Sequence, residues 1–373
     1  MRIDDVPTQP LGCCEMAEAM PRREALKEGI GQISRSFFVE AARDAKVEAR
    51  LVPVDDGASE EGHRRRYEVR LEIDGILLGR HSSPPPMRGE ALRERFDADH
   101  VQRHAELLRG FIPDHLAVEP RILRALKARP NPPRRMEEGR RYWTTIFGSD
   151  DRRAFQDTNF PWAATGRCET NIGAFSGVMV GPRHMLTCSH GIDWTPPAGY
   201  AADWLTFTPS YFDGSAPFGS TYATNIYWAR KENNDSFITS PEDEYDYTVL
   251  VLADRIGERT GWWGTKSYHD YWDGNPNWWH IGYPSDISSG QRPIYINGFT
   301  MNGDDAQDDS HEAIYHQADV WPGQSGGPMF GFWDGDGWPS AVAVQSWQSS
   351  STNGASGGAS LVDLVIRARS DFP

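Results

Sequence analysis

The chain contains no run of 18 apolar residues, so its sequence offers no candidate for a membrane-spanning helix. The first twenty residues, MRIDDVPTQPLGCCEMAEAM, also lack the apolar core of a secretory signal. We expect no membrane partner. We expect a secreted or extracellular protein, whose signal is either missing from the numbered chain or replaced by a different export route. A cytoplasmic location is the alternative.

Cysteine is scarce, with four residues among 373. Cys13 and Cys14 are adjacent and are poor candidates for a structural bridge. Cys168 and Cys188 either pair in a disulfide or remain as buried free thiols. Their spacing matches no metal-binding pattern, and we expect neither a metal nor a cofactor.

Basic residues are rare in the second part of the chain. Of the 38 Lys and Arg residues, 26 lie in residues 1–150, so residues 151–373 hold 12 basic against 27 acidic residues. The net charge of −15 therefore belongs to the second part. Such a surface repels nucleic acid and anionic membranes. It suits cationic or neutral partners, or it only keeps the protein soluble.

The length of 373 residues and a hydrophobic fraction of 38% predict two or three domains with a sizeable core. Residues 1–144 form a mixed α/β region: we predict a strand over 66–79, where apolar residues alternate, and helices over 23–47, 90–111 and 119–128. The proline-rich stretch SSPPPMRG is expected to be a linker.

The residue pattern changes after Pro133. Short runs of aromatic and β-branched residues alternate with turn residues, and this pattern is typical of all-β barrels. One helix is predicted at the C-terminus, over 360–369. The predicted strands cover residues 177–180, 184–187, 204–208, 225–228, 248–252, 278–281, 293–299, 313–316, 329–332 and 341–344.

The stretch ADVWPGQSGGPMF, residues 318–330, places three glycines around Ser325. It could be a tight turn between strands. It could also present a nucleophilic serine beside backbone N–H groups that bind a developing oxyanion.

A nucleophilic serine needs a base and an acid that orients the base. His190 follows a predicted strand and could face a cleft or lie in an ordinary surface loop. Asp246 immediately precedes the apolar strand 248–252 and could also be a strand cap. The three residues together, in the order His, Asp, Ser along the chain, are a stronger indication of a catalytic triad than any one of them alone.

These segments resemble trypsin-like, chymotrypsin-fold serine proteases. LTCSHGI (186–192) is similar to the segment around the catalytic histidine, YDYTVLVL (245–252) to the aspartate segment, and GQSGGP (323–328) to the serine segment. The bacterial glutamyl endopeptidase branch is the more similar one. Its members also contain segments similar to IFGSDDR (146–152), FPWAAT (160–165), GYP (282–284) and YHQADVWPGQSGGP (315–328).

The resemblance covers residues 145–370 and implies two antiparallel six-stranded β-barrels, 145–255 and 256–373, with a C-terminal helix. It implies a serine endopeptidase, a hydrolase of protein or peptide substrates, with the triad His190, Asp246 and Ser325. The oxyanion would be bound by the N–H groups of Gly323 and Ser325. Residues 1–144 would be a propeptide or accessory region of a zymogen, acting as an intramolecular inhibitor or chaperone.

Some positions depart from the family pattern. Trypsin has Asp before the serine, which pairs with the N-terminus freed by zymogen cleavage, whereas Gln324 is neutral. We therefore expect activation by removal of a covering segment, with cleavage near 143–146.

The expected substrate pocket also departs from the pattern. Gln345 stands where glutamyl endopeptidases have a histidine, and Val320 where a hydroxyl residue is usual. Asp319 occupies the place of the acid that binds Lys or Arg in trypsin, and Ser346 and Trp347 match the pocket wall. Together they favour a neutral or hydrophobic residue before the scissile bond.

Relatives have a disulfide at positions that correspond here to Phe175 and Gly191. The tryptophan pairs in GWWG and NPNWWH are expected to pack in the core rather than stack on sugars or bases. Two rivals to a protease stay open: a catalytically silent peptide-binding relative, and an esterase that uses the same triad.

Overall fold

In this computed structural model the described residues are 9–11, 47–53, 67–73, 76–82, 84–92, 98–121, 125–127, 146–232, 242–304, 310–349 and 351–373. They belong to two compact units, one formed by residues 1–25 and 86–373 and the other by residues 26–85. No helix among these residues combines the length and the apolar character needed to cross a membrane.

The smaller unit contains an antiparallel sheet of three strands, β1 (Val47–Pro53), β2 (Tyr67–Ile73) and β3 (Ile76–Ser82). The single strand predicted over 66–79 is instead two strands, because β2 and most of β3 lie within this range and pair antiparallel with each other. The helix predicted over 23–47 lies outside the described residues, except that Val47 begins β1.

The larger unit is mainly β-structure and contains two sheets. The first sheet comprises β4 (Arg88–Ala91), β7 (Thr165–Thr170), β8 (Gly173–Met179), β9 (His184–Thr187), β10 (Thr206–Pro209), β11 (Thr221–Trp228) and β12 (Thr248–Leu252). The second comprises β5 (Ala125–Lys127), β6 (Arg153–Phe155), β13 (Gly264–Thr265), β14 (Trp278–Gly282), β15 (Ile294–Phe299), β16 (Met301–Gly303), β17 (Glu312–His316), β18 (Pro328–Phe332), β19 (Pro339–Gln348) and β20 (Asn353–Gly357).

Six strands of the first sheet close into an antiparallel barrel in the order β10-β7-β8-β9-β12-β11, because β10 also pairs with β11. β4 is added to the outside edge of β11 as a parallel strand. The second sheet curls into a half-barrel. The predicted all-β architecture with a closed six-stranded first barrel is confirmed, but the second sheet is a half-barrel and not the second closed six-stranded barrel that was predicted.

Three helices lie among the described residues: α1 (Ala98–Arg103), α2 (Gly257–Thr260) and α3 (Ala359–Asp371). Along α3, Leu361, Leu364, Val365 and Ala368 are buried at helical spacing, so one face of the helix packs on the first barrel. The predicted C-terminal helix is confirmed.

The described residues of 86–121 pack against the barrels. Phe111 stacks on Trp262 with ring centroids 4.4 Å apart, and the Trp262 indole donates to Arg109 O at 3.0 Å. The His100 ring is hydrogen-bonded to Asp363 on α3 at 2.7 Å. This part of the front region is therefore structurally continuous with the barrels.

Two helix predictions in this region are wrong. The helix predicted over 119–128 is absent from the described residues there, and 125–127 form strand β5, which pairs with β6. The helix predicted over 90–111 shrinks to α1 and a short turn, and Glu90 and Ala91 belong to β4. In both places pairing with a barrel strand outweighs a weak helical pattern.

Three of the four tryptophans in GWWG and NPNWWH lie in the core, as predicted, whereas Trp262 is half-buried against Phe111. Trp263, Trp278 and Trp279 are almost fully buried, and Trp263 lies 4.4 Å from Phe330 between ring centroids.

Candidate active site

The register of two first-barrel strands brings Asp246 to His190. β9 and β12 are antiparallel, with Thr187 opposite Thr248. Continuing the same register places Asp246 opposite Ser189. The N–H groups of Ser189 and His190 both donate to Asp246 Oδ1, each at 2.8 Å.

The second carboxylate oxygen of Asp246 binds the histidine ring. His190 Nδ1–H donates to Asp246 Oδ2 at 2.6 Å, and the Ser346 hydroxyl donates to the same oxygen at 2.5 Å. Asp246 is fully buried, so its charge depends on these four donors. With Nδ1 engaged in this way, Nε2 of the ring is left as the acceptor.

The electrostatics of this pair favour a basic histidine. Burial opposes protonation of His190, but the neighbouring Asp246 carboxylate outweighs it and raises the pKa of His190 well above its usual range. The ring keeps 19% of its surface exposed, so it can still reach a bound substrate.

The loop that carries Ser325 lies against the end of β9. A Cβ added to Gly326 would lie 2.0 Å from Thr187 Oγ1 and 2.8 Å from Cys188 N. The backbone also has φ +72° at Gly326, so only glycine suits this close approach. Ser325 O accepts a hydrogen bond from Ser176 N at 2.9 Å.

The turn before Ser325 is fixed from the first barrel. Gly323 has φ +103°, and its carbonyl accepts from the Ser176 hydroxyl at 2.7 Å. That hydroxyl in turn accepts from Tyr283 N at 2.9 Å. Within the described part of the chain, the N–H groups of Gly323 and Ser325 have no acceptor. Two backbone donors are thus left for a ligand.

The residues expected in the substrate pocket are all at least half-buried. Asp319 is 2% exposed, and its two carboxylate oxygens accept from Phe147 N at 2.7 Å and Asp151 N at 2.9 Å. Burial raises the pKa of Asp319, and the two backbone hydrogen bonds oppose that rise. Its carboxylate is therefore occupied by the chain itself.

The other expected pocket residues present little charge. Val320 is buried, and Gln345 uses its amide to donate to Trp347 O at 2.8 Å and to Gly354 O at 3.2 Å. Ser346 has a further role that the sequence did not reveal, since its hydroxyl reaches Asp246.

Cys168 and Cys188 are free and buried, which is the second of the two alternatives. Cys188 Sγ lies 3.9 Å from His190 Nε2. Where relatives have a disulfide, a Cβ on Gly191 would lie 2.9 Å from the Phe175 ring, so the aromatic side chain fills this space.

Cys188, His190 and Asp246 also form a group whose possible metal-ligand atoms lie within 4.8 Å of one another. The His190–Asp246 hydrogen bond and the three other donors to Asp246 already engage this carboxylate. The arrangement fits an oriented base better than a cation site.

Comparison with known proteins finds a curated relative that matches part of the chain. Glutamyl endopeptidase of Bacillus licheniformis is 28% identical over 191 residues, which are 50% of this chain and 54% of that protein. The chain thus spans about half the length of this curated relative. No protein-family model matches the chain.

Similar solved structures include a Glu endopeptidase in complex with MPD (20% identity, TM-score 0.48, 61% of this chain and 100% of that chain). They also include the protease Anisep from Arthrobacter nicotinovorans (20%, 0.41, 55% and 92%) and the thermostable serine protease AL20 from an extremophilic microorganism (19%, 0.41, 57% and 99%). The chain is therefore similar to a curated glutamyl endopeptidase over about half of its length.

Proposed function

We propose that the chain is a serine endopeptidase that uses Ser325 as nucleophile, His190 as base and Asp246 as the orienting acid. The observation that carries the proposal is the His190–Asp246 hydrogen bond of 2.6 Å next to the glycine-bounded loop of Ser325. An imidazole held in one tautomer by a buried carboxylate is the arrangement that activates a serine hydroxyl.

In this mechanism Ser325 Oγ attacks the peptide carbonyl carbon while His190 Nε2 accepts its proton. The carbonyl oxygen becomes an oxyanion, which the N–H groups of Gly323 and Ser325 stabilise; one such donor is worth roughly 10²–10³ in rate. His190 then protonates the leaving amine, and the C–N bond breaks. A water molecule, deprotonated by His190, hydrolyses the acyl-enzyme and restores Ser325.

Covalent labelling tests this assignment. A fluorophosphonate should modify Ser325 in the wild-type protein, because the reagent requires an activated hydroxyl, and peptide mapping should locate the adduct there. Protein that stays unlabelled, with or without residues 1–144, would instead support a catalytically silent peptide binder. Turnover of esters without turnover of peptides would support an esterase.

We predict a preference for neutral or hydrophobic residues before the scissile bond. Asp319 is held by two backbone amides, and Gln345 is uncharged, so the pocket offers no free charge to a Lys, Arg or Glu side chain. With a peptide library varied at this position, kcat/KM for Ala, Val, Leu or Phe should exceed that for Arg, Lys and Glu by about 10- to 100-fold. A clear preference for Glu, as the relative's name suggests for that protein, would contradict this prediction.

We also propose that the protein is a zymogen processed near residues 143–146. The segment just after this position is anchored, because Phe147 and Asp151 bind Asp319. Cleavage there would therefore leave the site intact, and the preceding chain would leave only if β4 and β5 also separate from the two sheets. N-terminal sequencing of fully active protein should give a start near Ile146, and an intact Met1 in such protein would overturn the proposal.

A further inference from the structure

Gln324, the residue before Ser325, is completely buried. Its side chain packs on Gly282, where an added Cβ would lie 3.0 Å from Gln324 Cβ and from Gln324 Cγ. Its Oε1 accepts from Trp321 N at 3.0 Å, and Gln324 N donates to Trp321 O at 3.0 Å. Gln324 therefore closes the turn that contains Gly323.

The same side-chain oxygen accepts a hydrogen bond from Arg152. Arg152 Nη1 lies 3.1 Å from Gln324 Oε1, and Arg152 is 2% exposed. The two residues are 172 positions apart in the chain. Arg152 thus supplies a charged donor to the base of the serine loop from the segment that precedes the first barrel.

Two carboxylates hold the guanidinium in place. Asp150 accepts from Nε at 3.0 Å and from Nη2 at 2.8 Å, and Asp286 accepts from Nη1 at 3.1 Å and from Nη2 at 2.5 Å. Two forked contacts fix the plane of the guanidinium, which a lysine could not achieve.

The loop of Asp286 also touches the serine loop. Ser285 N donates to Pro322 O at 2.8 Å, and a Cβ on Gly323 would lie 2.4 Å from Tyr283 O. Arg152 therefore connects two loops that meet at Gly323.

We infer that Arg152 is a positioning residue that holds Gln324, and through it the Gly323 and Ser325 amides, in the arrangement that binds the oxyanion. This inference rests on the proposed function. The guanidinium would take the place of the freed N-terminus that pairs with the residue before the serine in trypsin. Because Arg152 belongs to the chain whether or not it is cut, the oxyanion-binding turn is formed before processing.

The test uses the full chain and three variants. Gln324→Met keeps the length and packing of the side chain but removes the oxygen that Arg152 binds. Gln324→Glu keeps an acceptor oxygen. Arg152→Lys keeps one positive charge between Asp150 and Asp286 but removes the planar guanidinium, whose several N–H groups also reach Gln324.

For a peptide substrate of the wild-type protein, Gln324→Met and Arg152→Lys should lower kcat by about 10- to 100-fold with less than a threefold change in KM. The reason is that oxyanion contacts form only in the transition state. Gln324→Glu keeps the acceptor oxygen, so its kcat should stay much closer to the wild-type value than that of Gln324→Met. Wild-type kcat in both weakened variants, or a change in KM alone, would overturn the inference.

Amide hydrogen exchange gives a readout that does not need activity. Exchange at residues 321–327 should be equally slow in uncut and processed wild-type protein, and at least 10-fold faster in Gln324→Met and Arg152→Lys. Fast exchange in the uncut wild type alone would show that processing forms the turn, against the inference. If the wild type neither labels nor cleaves, the proposed function fails, while the exchange data still decide whether Arg152 holds the turn.

Discussion

Ser325→Ala should lower kcat for peptide hydrolysis by about 10⁵- to 10⁶-fold, since removal of the nucleophile leaves only substrate binding and the oxyanion donors. Progress curves at saturating peptide would measure the loss, and fluorophosphonate labelling should disappear with it. The side chain is only half-buried, so we expect the variant to keep the wild-type melting temperature.

Ser267→Ala is a matched control, because this hydroxyl donates only to the neighbouring Tyr268 O at 3.1 Å. It should retain full activity. Peptide hydrolysis by Ser325→Ala at a rate near that of the wild type would remove the assigned nucleophile and with it the proposed mechanism.

Asp246→Asn should reduce kcat/KM at neutral pH by about 10⁴-fold. An amide can donate to His190 Nδ1, which would place the ring proton on Nε2, where it cannot accept the Ser325 proton. The four donors around Asp246 also make an amide NH₂ group a poor replacement for a carboxylate oxygen.

The pH profile separates this effect from a loss of folding. His190 must be neutral to act as a base, so activity falls as the pH falls through its pKa. The Asp246 carboxylate raises that pKa. Without the charge, the acid limb of kcat/KM should therefore move to lower pH.

Ser346→Ala is the control for Asp246→Asn, because it removes one donor and leaves the carboxylate in place. It should cost about 10-fold or less in kcat. An acid limb that does not move in Asp246→Asn would mean that Asp246 does not set the basicity of His190.

Local sequence patterns predicted most of the barrel strands. β9, β12 and β18 are short apolar runs bounded by turn residues, and each was expected close to its observed limits. Five strands after Pro133 were missed, namely β6, β7, β13, β16 and β20. The two longest of them are β7, which reads TGRCET, and β20, which reads NGASG. Neither has apolar alternation, since both are buried between neighbouring strands where small side chains fit.

The candidate site was predictable where the chemistry is carried by short motifs. His190, Asp246 and Ser325 each lie in a recognisable segment, and the structure joins the first two by a hydrogen bond. The supporting contacts were not predictable in this way. Arg152 to Gln324 and Ser346 to Asp246 connect positions 172 and 100 residues apart, and no local pattern encodes such pairs.

The Ser346 hydroxyl belongs to β19 of the second sheet, whereas Asp246 and His190 belong to the first barrel. The Asp246 carboxylate thus receives hydrogen bonds from both halves of the molecule. Neither half could by itself bring Ser346, Asp246 and His190 together. Labelling of Ser325 would therefore also report whether the two halves are packed against each other.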